Sequence, residues 1–238
     1  MPMRFIGLMT MFLAWKLQEV TGQPTVALSC GLFSSSRTEP IYLNLVTQSR
    51  REEILKKLVT CGEADHRIDF DGFYFAGLQV DMTGLMAATL YHVNDVARLL
   101  LHHTRDINIP NSHGWTVLHL AATANNIDLL KIMFDIGEDV NAVTEDYRFT
   151  PLHLAAVEGN DALLSLLIAR GARVNEVTVS GLTPLMYAAQ EGHKSTVALL
   201  LKYGADKHSN SVLGTAEDMA TENDHYAVAN FIRNYRGY

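Results

Sequence analysis

Cysteine is nearly absent: only Cys30 and Cys61 occur, 31 positions apart. Two residues cannot build a disulfide framework, and the spacing offers no zinc site. A reducing compartment is therefore expected, cytoplasmic or nuclear. Basic residues are also in short supply. Nineteen Lys and Arg face 26 Asp and Glu, giving a formal net charge of -7 with no dense basic run. Nucleic-acid binding needs a concentrated basic footprint, so no such partner is expected. A helix that crosses a bilayer needs ~20 apolar residues. The apolar run between Arg4 and Lys16 has only 11. There is no H-E-x-x-H, nucleophile elbow, phosphate loop or Gly-rich dinucleotide fingerprint. The chain reads as a non-enzyme, with no catalytic, cofactor or metal residue expected.

The bulk composition, 48% apolar and 19% charged, is that of a folded protein and excludes disorder over most of the 238 residues. The N-terminal apolar run has the length and flanking charge of a signal-peptide core, yet no small-residue cleavage site follows closely. Three readings of residues 1–36 fit. It is a helix packed on the body or loose, an anchor to membrane or partner, or a cleaved targeting signal. Membrane contact or an organelle address would come only through this segment. "GLFSSSRTE" (31–39) reads as a flexible link after it.

The dominant feature is a repeat. Thr83, Thr116, Thr150 and Thr183 head similar stretches, at spacings of 33, 34 and 33. A fixed period of this size signals a stacked array. Each unit starts a helix at Thr, with Pro151 and Pro184 where a missing N–H is harmless. Ala pairs (Ala121-Ala122, Ala155-Ala156, Ala188-Ala189) allow close helix approach. A short polar break such as "EGN" or "EGH" precedes a Leu-rich second helix. Gly137, Gly171 and Gly204 stand where that helix should end in a left-handed cap. One such pair cannot bury its own apolar face, but stacked neighbours share a core. Within it, Leu166 is the expected core leucine of the second helix "DALLSLLIAR".

The motif T-P-L-H-x-A-A, the second-helix leucines, the "DVN" and "RVN" tails and the 33-residue period together resemble the ankyrin-repeat family, clearly over residues 78–208. The resemblance implies an all-α solenoid of stacked helix-turn-helix units with β-turn fingers. The expected organisation is an ankyrin domain over 37–238. It has a degenerate cap at 40–77, clear repeats near 78–110, 111–144, 145–177 and 178–210, and a C-terminal cap at 211–238. "PIYLNLVTQSRREEILKKLVTCG" (40–62) has a helix-turn-helix outline. About eight or nine extra residues then fall in "IDFDGFYFAGLQVD", where a loop is expected at 70–78. Phe73, Tyr74 and Phe75 in that loop must either tuck into the array or meet something.

The resemblance also assigns roles. His119 and His153 share one repeat position and are implied to be structural, bonding neighbouring turn backbone; Met186 replaces them in the next unit. His193 fills a structural turn position. His102 and His103 end a helix and point apart, which suits a helix dipole better than a metal. Asn141 and Asn175 are implied to brace the hairpins, and some ankyrin domains hydroxylate this asparagine. Function is implied to be recognition of another protein, on a concave face made by turns and first helices. The alternative is a structural or regulatory subunit anchored through residues 1–36. The contact candidates are Leu90, Tyr91, His113, Trp115, Thr123, Tyr147, Arg148, Phe149, Val157, Glu158, Leu182, Gln190 and Glu191. Trp115 either meets a partner or covers the adjacent helix. The second finger has the 34-residue period, with Thr144 as the apparent insertion. Arg148 stands where other units have Gly114 and Gly181, so this turn is expected to take a different conformation.

Overall fold

The computed structural model describes residues 67–75, 78–104, 106–111 and 113–236. The chain divides into two compact units, Met1–Ser112 and His113–Tyr238. The N-terminal segment 1–36 and the helix pair expected at 40–62 lie outside the described residues, as do both cysteines.

In the first unit, β1 (Arg67–Phe75) and β2 (Leu78–Thr83) form a two-stranded antiparallel sheet. The loop expected at 70–78 is thus largely strand. Ile68, Phe70, Phe73, Tyr74 and Phe75 are the β-branched and aromatic types that favour a pleated backbone, a signal the repeat pattern masks. The extra residues are accommodated partly in a bulge. Asp69 pairs with Asp81 and Tyr74 with Gln79, so residues 70–73 face Val80 alone. Whether the side chains of Phe73, Tyr74 and Phe75 tuck or project lies outside the described residues. β2 leads directly into α1 (Gly84–Leu90), capped by the Thr83 hydroxyl, which accepts from Met86 N–H at 3.2 Å. α2 (Asn94–His103) packs on α1, burying Leu85, Met86, Val96 and Leu100. His102 and His103 occupy its last turn and are exposed.

The second unit repeats one hairpin of helices four times. The pairs are α3 (Val117–Thr123) with α4 (Ile127–Asp135), α5 (Pro151–Val157) with α6 (Asp161–Ala169), α7 (Pro184–Gln190) with α8 (Lys194–Lys202), and α9 (Ala216–Glu222) with α10 (Tyr226–Asn234). First helices pack on first helices, α3 to α5 to α7 to α9, and form one layer. Second helices lie behind, α6 to α8 to α10. The Ala pairs, all buried, make the first layer possible, because a methyl group lets backbones approach closely. Leu129, Leu130, Met133, Leu163, Leu164, Leu167, Val197 and Leu200 fill the space between the layers.

The boundaries follow from local chemistry. Thr150, Thr183 and Thr215 are extended N-cap residues whose hydroxyls accept from the third helical N–H at 3.3 Å. Second helices end in the same reciprocal pattern. Gly137 N–H donates to Phe134 carbonyl and Glu138 N–H to Met133 carbonyl, with Gly137 at φ +102. Gly171 and Gly204 repeat it at φ +92 and +86. A β-carbon would meet nothing at these three positions, but this left-handed backbone is unstrained only at glycine.

Leu166, expected in the core of α6, is instead half-buried, while Leu163, Leu164 and Leu167 face inward. Leu164→Ala is therefore expected to lose about 2–5 kcal/mol through the cavity it opens. Leu166→Ala should lose distinctly less. Urea melts of the two variants check the order, and equal losses would refute this assignment.

Candidate functional site

Each repeat of the second unit presents a finger, the turn before a first helix. Thr178 shows how one is built. Its N–H donates to Leu182 carbonyl at 3.0 Å, its hydroxyl accepts Leu182 N–H at 3.2 Å, and its carbonyl accepts Gly181 N–H at 2.9 Å. Thr144 makes the same set with Phe149 and Arg148, at 3.0 Å in each case. Thr144 is thus the finger's buried base and not the inserted residue. The extra residue lies in the tip, where residues 145–148 replace the three residues 179–181. Arg148 also departs from expectation. It adopts φ +58, the left-handed geometry of Gly114 (+73) and Gly181 (+76), so the turn keeps its conformation and the arginine bears the strain. Its guanidinium meets Glu176 at 3.4 Å, an exposed pair worth at most ~1 kcal/mol.

In the first three fingers the residue just before the capping threonine is covered. Trp115 is 7% exposed and Leu182 1%, and Phe149 is likewise buried. Three of the contact candidates therefore lie beneath the fingers, because this position staples the incoming chain onto its helix. Trp115 packs edge-on to His119 at 6.2 Å. Phe149 sits against both His153 (5.9 Å) and Tyr187 (5.3 Å), and Tyr147 packs edge-on to Phe149 at 6.4 Å. Burial raises the Tyr187 phenol to about 12, and its hydroxyl bonds the Thr178 side chain.

The two histidines tie the start of a first helix to the segment beyond the second helix. Thr116 N–H donates to His119 Nδ1 at 3.3 Å, which leaves the proton on Nε2; that atom donates to Ala142 carbonyl at 3.1 Å. His153 does the same between Thr150 N–H (3.2 Å) and Leu182 carbonyl (3.2 Å). Both ring nitrogens are engaged, which leaves no nitrogen for a ligand or a substrate. Met186 offers Thr183 N–H only a thioether at 3.4 Å, and Asp218 offers Thr215 N–H a carboxylate at 2.9 Å. His193 bonds Val157 carbonyl at 2.9 Å. Asn141 spans to the next repeat through Gly171 carbonyl and Arg173 N–H, and Asn175 through Gly204 carbonyl and Asp206 N–H.

The remaining candidates separate by exposure. Leu90 is buried and Tyr91 half-buried, both at the end of α1 in the first unit. In the second unit Tyr147, Arg148 and Glu158 are exposed, while His113, Thr123, Val157, Gln190 and Glu191 are half-buried. Burial, and after it the charge of Glu158, raises the Glu191 carboxyl above its ordinary value.

Sequence reasoning missed four exposed apolar residues on the fingers. Val179 is 65% exposed and Val212 85%, with Val177 and Leu213 beside them. Val179 and Val212 are 33 residues apart, at one repeat position, which is the signal that could have found them. Val179 N–H donates to Tyr147 carbonyl at 3.1 Å, so these two fingers lie side by side. Glu145 N–H likewise donates to Gly114 carbonyl at 3.3 Å. The result is a row of fingertips carrying Tyr147, Val179, Val212 and Leu213.

The chain belongs to the ankyrin-repeat family: a family model described as ankyrin repeats, in three copies, matches residues 43–144, 125–211 and 152–236. No curated protein gives a match. Ankyrin repeats generally mediate protein–protein interactions, and proteins built from them are typically non-enzymatic. Among the described residues, no helix is long and apolar enough to cross a membrane. The alternative anchored through residues 1–36 lies outside the described residues.

Two predictions follow from the finger and the imidazole clips. Arg148→Gly should leave stability unchanged or raise it by up to ~1 kcal/mol, because glycine relieves the strain, whereas Arg148→Val should lower it by at least ~1 kcal/mol. Chemical melts decide the sign. Burial, opposed by bonds to backbone carbonyls, holds His119 and His153 at about 4, below the ordinary 6.5. The unfolded chain therefore binds these protons first. Stability is complete above pH 6.5 and falls as pH drops from 6.5 toward 4, by about 2 kcal/mol per histidine at pH 5. His153→Met, copying the neighbouring repeat, should shrink the difference between melts at pH 7.5 and 5.0 by that amount. An unchanged difference would refute it.

Proposed function

We propose that this protein is a non-enzymatic adaptor or scaffold whose second unit recognises a protein partner through its fingertips and the adjoining ends of its first helices. One observation carries the reading. Apolar side chains stand exposed on successive fingertips, at Tyr147, Val179, Val212 and Leu213, and the fingers of Tyr147 and Val179 already have buried anchors in Phe149 and Leu182. The stack gains nothing from a valine that is 85% exposed. An apolar row of this kind, rimmed by charge, is the usual mark of a recognition surface. Tyr147 has the character of an interface anchor, an aromatic ring held by a buried aromatic neighbour so that little motion is lost on binding.

Partner contact is assigned to Tyr147, Arg148, Val157, Glu158, Gln190 and Glu191, joined now by Val177, Val179, Val212 and Leu213. His113 and Thr123 flank them. In the first unit the half-buried Tyr91 keeps the same role, whereas Leu90, buried like Trp115, does not.

Affinity capture with mass spectrometry tests the reading. The full chain is compared with a Tyr147→Ser, Val179→Ser, Val212→Ser variant, whose exposed substitutions should each shift stability by no more than ~0.5 kcal/mol. A partner is expected to fall at least tenfold in the variant, at unchanged helix content. The same partners at the same abundance would overturn the reading.

A further inference from the structure

We infer that the second unit has another binding surface, beside α10, which takes an acidic segment of a partner protein. Its carboxylates meet Lys194, Lys202 and Arg236, and an aromatic side chain lies on Phe231 and Tyr235. This surface uses no fingertip residue, so it stands independently of the reading above.

The charges of the second unit are compensated unevenly. Arg148, Arg170, Arg173 and Arg233 each meet a carboxylate, at 3.4, 3.1, 3.6 and 2.7 Å. Arg236 and the lysines Lys131, Lys194, Lys202 and Lys207 meet none among the described residues. Of these, all but Lys131 line two grooves that flank Tyr235 and Arg236. The chain as a whole has a net charge of -7, so uncompensated cations gathered in one place are a local feature and not the general tendency.

The first groove, about 550 Å³, follows one face of α10. Ala227, Asn230, Phe231 and Asn234 recur along it at the spacing of a single helical stripe. The Lys194 ammonium stands over the Phe231 ring, 5.7 Å from its centre, and the Tyr235 ring is 6.0 Å from Phe231 on the same floor. The second groove, about 730 Å³, lies at the end of α8, where Leu201, Lys202 and Lys207 line it. Tyr235 and Arg236 belong to both, so one chain can cross from the first groove into the second. Asp206 is the one carboxylate in either lining, and it is engaged by the His208 N–H at 2.9 Å and the Ser209 hydroxyl at 3.1 Å.

Folding accounts for part of this cluster. Lys202 sits in the last turn of α8, where a cation suits the helix dipole. Lys207 caps α10 through the carbonyls of Ile232, Arg233 and Tyr235, which fastens Tyr235 between the grooves. Lys194 has no such use. It is the first residue of α8, the end where a cation is disfavoured, and it is held by the face of Phe231. The aromatic ring is itself particular to this pair: the earlier second helices carry Ile132, Leu166 and Leu199 at that position. A carboxylate brought to Lys194 offsets the cost of its place.

The shape selects the occupant. Phe231 and Tyr235 are half-buried, so a chain laid in the groove reaches them and a flat lipid surface does not. Nucleic acid binds by neutralising many phosphates, which a chain of net charge -7 opposes at longer range. An acidic segment needs only a few carboxylates. The nine residues of α10 span about 13 Å, which an extended chain covers in about four residues.

The test pans a display library of random dodecapeptides on the full-length chain and measures the enriched consensus as a synthetic labelled peptide by fluorescence polarisation. Four proteins are compared: the parent, Lys194→Gln with Arg236→Gln, Phe231→Leu, and Val179→Ser with Val212→Ser. The glutamine sites are exposed, and leucine already fills the Phe231 position in two earlier repeats, so helix content and melting should match the parent. The expected consensus is rich in Asp and Glu around an aromatic residue. Its Kd should rise at least ~10-fold in the glutamine pair and about 3-fold in Phe231→Leu, and stay unchanged in the serine pair. An acidic consensus indifferent to the glutamine pair would overturn the inference. So would a consensus lost only in the serine pair, but that result would leave the fingertip reading standing. Failure to enrich any peptide would also overturn it, and oligonucleotides or phosphatidylserine vesicles whose binding the glutamine pair abolishes would then reassign the cations to nucleic acid or to a membrane.

Discussion

A seven-residue helix is about two turns long and does not persist by itself in water, because nucleation is unfavourable and few bonds follow it. All four first helices of the second unit have this length. Each therefore exists only because a neighbouring repeat covers it, and contact between repeats is the constraint that the rest of the unit serves. The Ala pairs bring the first helices together, and the leucines behind them fill one shared core. Bonds from repeat to repeat then fix the register. The imidazole of His153, the amides of Asn141 and Asn175, and the Thr196 hydroxyl on Asp161 (2.7 Å) all cross a junction.

The third residue of the first helix shows how one position solves two problems unequally. His119, His153, Met186 and Asp218 all offer an acceptor to the N–H of the capping threonine. Only imidazole has a second polar atom on the far side of a rigid ring, so only the histidines also reach a carbonyl beyond the second helix, Ala142 for His119 and Leu182, in the next repeat, for His153. Where Met186 stands, the last junction relies on other groups. Asn175 spans to the Gly204 carbonyl and the Asp206 N–H one junction earlier. Beyond it, the Lys207 ammonium caps α10, reaching the carbonyls of Ile232 (3.4 Å), Arg233 (3.2 Å) and Tyr235 (2.8 Å). A cation at the carbonyl end of a helix is favourably placed. The imidazole clip also has a condition: it works only with neutral rings, which ties the stack to pH above the acid range.

The fold was largely legible in the sequence because a 33-residue period with Thr, Pro, Ala and Gly at fixed offsets encodes caps, close approach and helix ends directly. The structural role of His119 and His153 came from the family resemblance, and both rings bond backbone. The surface was less so. Trp115, Phe149 and Leu182 look like contact residues because they are large and sit in turns, but their place one residue before the cap turns them inward. Val179 and Val212 drew no attention, because a lone valine in a turn carries no signal until its partner 33 residues on is seen to share its exposure. Arg148 misled in another way: a missing glycine suggested another backbone, yet hydrogen bonds from Thr144 hold the arginine in the left-handed region. The strand at 67–75 was hidden by an expected loop.

Stability and recognition draw on different residues here, and that separation is itself informative. Positions that hold the stack are nearly all buried, and their alternatives are few. The fingertips and the C-cap positions of the first helices carry little of that load, so residues there are unconstrained by folding. A surface selected for stability alone would place polar residues at the fingertips. Instead the fingertips carry valine, leucine and tyrosine. Apolar side chains left in water are mildly unfavourable in the free protein. An unfavourable arrangement that repeats in register, as Val179 and Val212 do, is more economically explained by a bound surface that covers it than by drift, because drift has no reason to keep the period.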